Sequence, residues 1–340
     1  MSCAQELVAL LGAGTLWATP SAAFSVPVPS QKGDFSDFHE YTKSHVGRWR
    51  GLWRTYDSEG VEQGGGDRMD ATLDLSSDGK TLTHVNTLFV GSVDSECTTC
   101  HDSVETRDIP VGTYTKETFR QRAASGCYLS GPGVTRRGDM KTEVGLPVDH
   151  DRRVRVIVSH RPVFNGVEPP SQLSLERVVV VSEIRAREQS PPAIDPSWSF
   201  DRPSWLGLWR GDAKILRDEA GGSLAWQEEA VPPSHLRKCR CSGAEGDNSD
   251  SHSSFEFDGG VRVEVPKLVD AGTPTEMLVR LAVGRKSKAA APNCVVQTKV
   301  QFEALSRVID TAENTVRISP PALLRFAVET LTPVASAGLG

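Results

Sequence analysis

The hexapeptide Trp49-Arg50-Gly51-Leu52-Trp53-Arg54 returns as Trp205-Leu206-Gly207-Leu208-Trp209-Arg210, with five of six positions kept and four of the chain's seven tryptophans used. The separation is one domain length, which marks a duplicated domain rather than a short solenoid repeat. A chain of 340 residues has room for two such units. Between the copies, residues 187–204 carry Pro191, Pro192, Pro196 and Pro203, the composition of a linker. The expected organisation is a presequence and flexible arm at 1–33, a first half at 34–188, a Pro-rich linker at 189–204, a second half at 205–330 and a tail at 331–340.

Within the first half, short runs alternate apolar and polar residues. This predicts strands at 48–56, 69–75, 80–90, 103–109, 112–119, 125–130, 140–145, 152–160 and 172–187. Turn signals such as Ser77-Asp78-Gly79 and Gly131-Pro132-Gly133 separate them. The 30 glycines and 21 prolines suit a chain that turns often. Many strands at this spacing imply a sandwich or a closed barrel, and closure removes the edges that invite aggregation. In the second half, strands are expected at 207–217, 223–230, 254–265, 276–284, 294–305 and 314–319, with a polar, acidic insertion at 242–254 expected to be mobile. One helix is expected over 34–44, where Phe35, Phe38 and Tyr41 or Thr42 recur at helical spacing behind Asp34 as N-cap. It would plug one barrel end. The expected fold is thus all-β, two tandem antiparallel barrels with a short helix before the first.

Gly47-Arg48-Trp49, Gly51-Leu52-Trp53 and Gly207-Leu208-Trp209, at the head of each run of strands, resemble the Gly-x-Trp signature of lipocalins and other calycins. Over about residues 35–330 the chain resembles a two-domain lipocalin-like (calycin) family of unknown function from cyanobacteria and from plant and algal plastids. The end of the first half, Arg153-Val154-Arg155-Val156 and then Val179-Val180-Val181-Ser182-Glu183-Ile184-Arg185, is similar to the end of the S-type phycobiliprotein lyases. Those barrels hold an open-chain bilin and pass it to a cysteine of an apoprotein. The second half shows no counterpart of Ser-Glu-Ile-Arg. The resemblance implies a small hydrophobic or amphipathic ligand, with a bilin or other tetrapyrrole as the cofactor it would hold. It also implies a phycobiliprotein or other chromophore acceptor as partner, and a plastid location. Two alternatives stand beside this binding role. One is a lyase-type enzyme using Arg155, Glu183 and Arg185; the other is a scaffold whose barrels are filled by their own side chains.

Alternation places Trp49, Gly51 and Trp53 on one face of the first strand, and Val179, Val181, Glu183 and Arg185 on one face of the last. The tryptophans Trp49, Trp53, Trp205 and Trp209 are therefore candidates for barrel floors that touch a ligand. In lipocalins an arginine of the last strand stacks over the signature tryptophan, and Arg185 occupies the matching place. Arg153 and Arg155 share a face opposite Val154, Val156 and Val158. If the valines face outward against the other half, the arginines line the cavity beside Glu183 as a fork for carboxylates. If the valines face inward, the arginines are a solvated outer surface.

Cys97-Thr98-Thr99-Cys100-His101 matches the Cys-x-x-Cys-His pattern of covalent haem attachment. It reads equally as a metal or redox site, or as loop cysteines that are free or disulfide-bonded. Residues 7–18 form an apolar run of signal-peptide length followed by Thr19-Pro20-Ser21-Ala22-Ala23, a small-residue processing site of plastid or secretory type. No other stretch reaches 18 consecutive apolar residues, so no transmembrane span is expected. With 38 basic against 44 acidic residues the chain offers no electrostatic footprint for nucleic acid. Phosphate-binding glycine loops, Gly-x-Ser-x-Gly and His-x-x-x-His are all missing, which removes support for kinase, hydrolase and zinc-protease readings.

Overall fold

A computed structural model describes residues 35–64, 66–90, 105–134, 138–163, 172–186, 208–219, 223–236, 251–283, 294–303, 307–310, 315–318 and 321–334. These residues form one helix and two large antiparallel sheets. The chain is all-β in class.

The first half is a helix followed by a curled sheet. Helix α1 (Phe35–His45) leads into β1 (Gly47–Asp57), β2 (Asp67–Leu75), β3 (Thr81–Val90) and β4 (Glu105–Thr115), then β5 (Arg122–Ala124), β6 (Cys127–Val134), β7 (Met140–Pro147), β8 (Arg152–Pro162) and β9 (Gln172–Arg185). Their order across the sheet is β4-β3-β2-β1-β9-β8-β7-β6-β5. The last strand thus returns to the first, setting Trp49 opposite Arg185 and Trp53 opposite Val181. β4 and β5 end this order, so the sheet is a half-barrel with a seam instead of the closed barrel expected. The cause lies at β5, which has only three residues. Its Ala123 N–H donates to Asp37 Oδ1 of α1 at 3.1 Å, so the helix covers an edge that closure would have paired.

In the second half come β10 (Leu208–Glu219), β11 (Ser223–His235), β12 (His252–Phe257), β13 (Val261–Pro266), β14 (Leu268–Asp270), β15 (Pro274–Val283), β16 (Cys294–Glu303), β17 (Arg307–Asp310), β18 (Thr315–Ile318) and β19 (Ala322–Pro333). Seven of them form an open sheet in the order β11-β10-β19-β16-β15-β13-β12. Strand for strand this repeats β2-β1-β9-β8-β7-β6-β5. The duplication announced by the tryptophan hexapeptide is therefore visible in topology, without counterparts of β3 and β4 among the described residues. That is why the second half is a sheet and not the barrel expected.

The two sheets pack back to back. Val154, Val156, Val158, Val178 and Val180, on the outer face of β8 and β9, share one buried cluster with Val263, Val279, Val300 and Phe326 of the second sheet. At about 1.5–3 kcal/mol for each fully buried large apolar side chain, this joint core is a main source of stability. Short elements stitch the halves further: β14 pairs with the start of β9, and the Trp226 indole donates to Asp37 Oδ1 at 3.0 Å.

Several strand boundaries differ from expectation. The runs at 103–109 and 112–119 are one strand, β4, carried through a register shift opposite His84 and Val85. The run at 254–265 is two strands, β12 and β13, divided by a turn at Gly259 and Gly260, both of positive φ. β12 begins at His252, so the last residues of the supposed insertion are paired chain. β19 was not foreseen, and it runs past the expected end of the second half at residue 330. Asp34, the hexapeptide's Trp205 to Gly207, the linker at 189–204 and the segment at 1–33 lie outside the described residues.

Candidate functional site

The interior of the half-barrel is built in two layers. Its floor begins with α1, which turns Phe38 and Tyr41 inward onto Phe119; the ring centroids of Tyr41 and Phe119 lie 5.1 Å apart. The helix ends against β1 and β9. Trp49 Nε1 donates to the His45 carbonyl at 2.8 Å, and Arg185 donates to the carbonyls of Val46 at 2.6 Å and Ser44 at 3.2 Å. A cation and an indole thus satisfy carbonyls that a helix C-terminus leaves open. Arg153 and Arg185 lie over the Trp49 ring at 4.0 and 4.4 Å, so this tryptophan meets two guanidinium groups.

Above this floor runs a buried charge network. Glu183 is fully buried on β9 and accepts from Arg153 Nε at 2.5 Å and from Arg155 Nε and Nη2 at 3.0 and 2.8 Å. Burial would raise its carboxyl, but Arg153 and Arg155 outweigh burial and hold it below the ordinary carboxylate value. Arg155 reaches on to Glu143 Oε1 on β7 at 3.1 Å, and the Tyr128 hydroxyl donates to the same oxygen. Burial, with Glu143 beside it, pushes the Tyr128 phenol well above its usual range, so it stays a donor. Arg153 also donates to His45 Nδ1 at 3.1 Å; burial and then Arg153 hold His45 neutral.

Over the network lies a cavity of about 170 Å³. Its apolar wall comes from Trp53, Ile157 and Val179, and Tyr114 lies toward the seam. Polar groups enter from Tyr128, Glu143 and Arg155 below, His84 and Asn86 on β3, and Lys141, Ser159 and Arg177 on β7, β8 and β9. Burial, then Arg155, pushes His84 down to about 4, and its Nε2 lies 3.1 Å from Asn86 Oδ1. Burial pushes Tyr114 up to about 12. Two polar atoms of lining residues, Trp53 Nε1 and Gln121 Oε1, are buried without a hydrogen-bond partner among the described residues.

No family model matches this chain, and no curated protein matches it. Among solved structures it is similar to the crystal structure, at 1.75 Å resolution, of a protein of unknown function of the DUF3598 family from Nostoc punctiforme PCC 73102. The likeness is one of fold. It has a TM-score of 0.51 at 11% identity, over 87% of this chain and 98% of that one.

Of the residues singled out from sequence, Trp53 and Arg155 line the cavity. Trp49, Arg153 and Glu183 form the layer beneath, and Arg185 sits at the helix end, outside the lining. Of the two orientations open for β8, the structure has the valines against the second sheet and the arginines inside. Those arginines are nevertheless occupied by Glu183 and Glu143, so they do not form the open carboxylate fork envisaged. Trp209 is buried with Val295 and Leu331 in the second sheet, far from any lining role in this cavity. Trp205, Cys97, Cys100 and His101 lie outside the described residues. Among the described residues no group of three or more His, Cys, Asp or Glu is placed to hold a metal, and no helix is long and apolar enough to cross a membrane. Cys127 is a buried free thiol.

His84, Tyr128, Lys141, Glu143 and Arg177 went unnoticed in the sequence. One signal was available for β7. Met140, Thr142, Val144 and Leu146 alternate with Lys141 and Glu143, and the same alternation on β8 had already raised the prospect of an inverted, polar-inside strand.

Proposed function

We propose that the protein binds a small amphipathic molecule in the cavity of its first half. The observation that carries this is a partly open cavity of about 170 Å³ with an apolar wall of Trp53, Ile157 and Val179 and polar side chains, among them His84, Asn86, Lys141 and Ser159, on its other sides. An apolar wall with a few convergent polar groups is the usual make-up of a small-molecule pocket. The lipocalin-like reading supports the same role: β9 returning to β1 over a helix plug is the arrangement of a calycin barrel opened along one seam. Size bears on the guest. An engineered cavity of about 150 Å³ takes a benzene ring, so this one encloses a single ring or a short chain. A bilin or other tetrapyrrole would sit with most of its length outside. Binding is favoured over chromophore transfer, because Arg155 and Glu183 are committed to each other and Arg185 to the helix. A plastid location belongs to the same proposal.

The test is a titration of the purified protein with alkylbenzenes bearing polar substituents, fatty acids, carotenoids, bilins and protoporphyrin, followed by tryptophan fluorescence. Small amphipaths are expected to bind, with the signal lost in Trp53→Phe and binding lost in Ile157→Trp, which fills the cavity. If no class binds, or if Ile157→Trp binds as well as the native protein, the proposal fails.

A further inference from the structure

Lys141, Ser159 and Arg177 are neighbours in one row across three strands, Lys141 opposite Ser159 on β7 and β8, and Ser159 opposite Arg177 on β8 and β9. All three line the cavity. They stand at the end away from α1, since Arg177 pairs with Asp57 at the far end of β1. Elsewhere in the cavity each basic group has a partner in the protein. Arg155 is held by Glu183 and Glu143, and Arg120 donates to the carbonyls of Glu117 at 2.6 Å and Phe119 at 3.1 Å. Lys141 differs: its ammonium makes no hydrogen bond or ion pair within the described residues. Arg177 has only Glu176 at 3.7 Å, and that carboxylate is bonded to Arg161. Two cations and a hydroxyl therefore converge on one wall of a largely apolar space, where the one carboxylate among the lining residues described, Glu143, is engaged by Arg155 and Tyr128, and Glu176 is shared with Arg161.

We infer that Lys141, Ser159 and Arg177 form an anion subsite of this cavity, and that the ligand carries a carboxylate there while its apolar body lies against Trp53, Ile157 and Val179. Burial and then Arg177 lower the Lys141 ammonium, with Asp139 and Glu176 acting weakly the other way; a bound anion would relieve that strain between like charges. Asp139 and Glu176 also temper the local field, which suits a monoanion such as a carboxylate better than a dianionic phosphate. The inference rests on the proposed binding role and names the chemistry of what is bound.

Two probes of equal shape separate the two ideas: 4-propylbenzoate and its neutral isostere 4-propylbenzamide, titrated at pH 8 by calorimetry. The benzoate is expected to bind at least about tenfold more tightly, a typical return for charge-assisted hydrogen bonds. Lys141→Met and Arg177→Gln, each checked for native circular dichroism, should reduce that preference to about twofold, the loss falling mainly on the benzoate. If both probes bind alike to the native protein, or if each variant weakens both equally, the anion subsite is overturned and the binding role stands. If neither probe binds, both fall.

Discussion

Glu183 shows how much a single buried side chain holds in place. It is the common acceptor of Arg153 and Arg155, both nearly without solvent, and they in turn fix Trp49 and Trp53 by ring stacking. Glu183→Gln would leave two buried cations sharing one neutral amide. A loss of about 3–5 kcal/mol is expected from breaking a buried pair in this way, measured by urea denaturation. A stability unchanged to within about 1 kcal/mol would show that the network is more hydrated than its burial implies. Gly145 is a second sensitive position: a Cβ there would lie 2.0 Å from the Tyr128 ring. Gly145→Ala should therefore displace Tyr128 from Glu143 and lower stability by about 1–3 kcal/mol, visible as a lower melting temperature. At this scale the sequence was half legible. Alternation assigned Arg153, Arg155 and Glu183 to definite faces, but it does not say which face is the inside. For an isolated barrel the valines belong within. They lie outside here because a second sheet covers them, a fact no local pattern encodes, and the same inversion hid Lys141 and Glu143.

At the level of elements, α1 takes over the work of a missing strand. Asp37 accepts from Ala123 N–H at 3.1 Å, from Arg122 Nη1 at 3.0 Å and from the Trp226 indole at 3.0 Å, so one carboxylate ties the helix, the free edge of β5 and the second sheet. Asp37→Ala strands a buried guanidinium and an edge amide together. The expected outcome is a loss of about 3–5 kcal/mol with loss of hydrogen-exchange protection at Ala123, while Asp37→Asn, which keeps one acceptor oxygen, loses less. Full protection at Ala123 in Asp37→Ala would mean that β5 has another partner. The helix itself was readable from its aromatic spacing, and β1, β2, β3, β7, β8, β9 and most of the second sheet from period-two runs. β19 was not. Its sequence Ala322-Leu323-Leu324-Arg325-Phe326-Ala327-Val328 is a near-continuous apolar run, as befits a central strand covered on both faces, and such a run has no period to read. Once placed, it completes the topological repeat: β19 lies between β10 and β16 as β9 lies between β1 and β8.

For the whole molecule, the largest apolar core is shared between the halves, beside smaller clusters inside the first half, and this changes what separation would do. Two independent barrels would fold alone; two sheets whose main apolar faces meet would not. Residues 34–188 produced alone should aggregate or lack a cooperative transition, and co-production with 205–340 should restore a soluble complex. A sharp, native-like melt of the first half alone would contradict the shared core. Acid should act on the same interface. His160 on β8 is 2% exposed and donates from Nε2 to the Pro266 carbonyl of the second half at 3.0 Å. Burial pushes it down to about 4, against about 6.5 in an unfolded chain. Between those values the unfolded state binds a proton that the folded state refuses. Stability therefore rises with pH across this window and falls on acidification from about 6.5, with the loss complete near 4. The full shift corresponds to about 3 kcal/mol, and the neutral, buried His45 adds to it in the same direction. Denaturation midpoints measured from pH 7.5 to 4 should fall steeply, and His160→Gln, which keeps a donor for Pro266 without a titrating ring, should flatten the slope by about one proton. An unaltered slope in that variant would mean that His160 is protonated in the folded protein and that acid acts on the joint core through other groups.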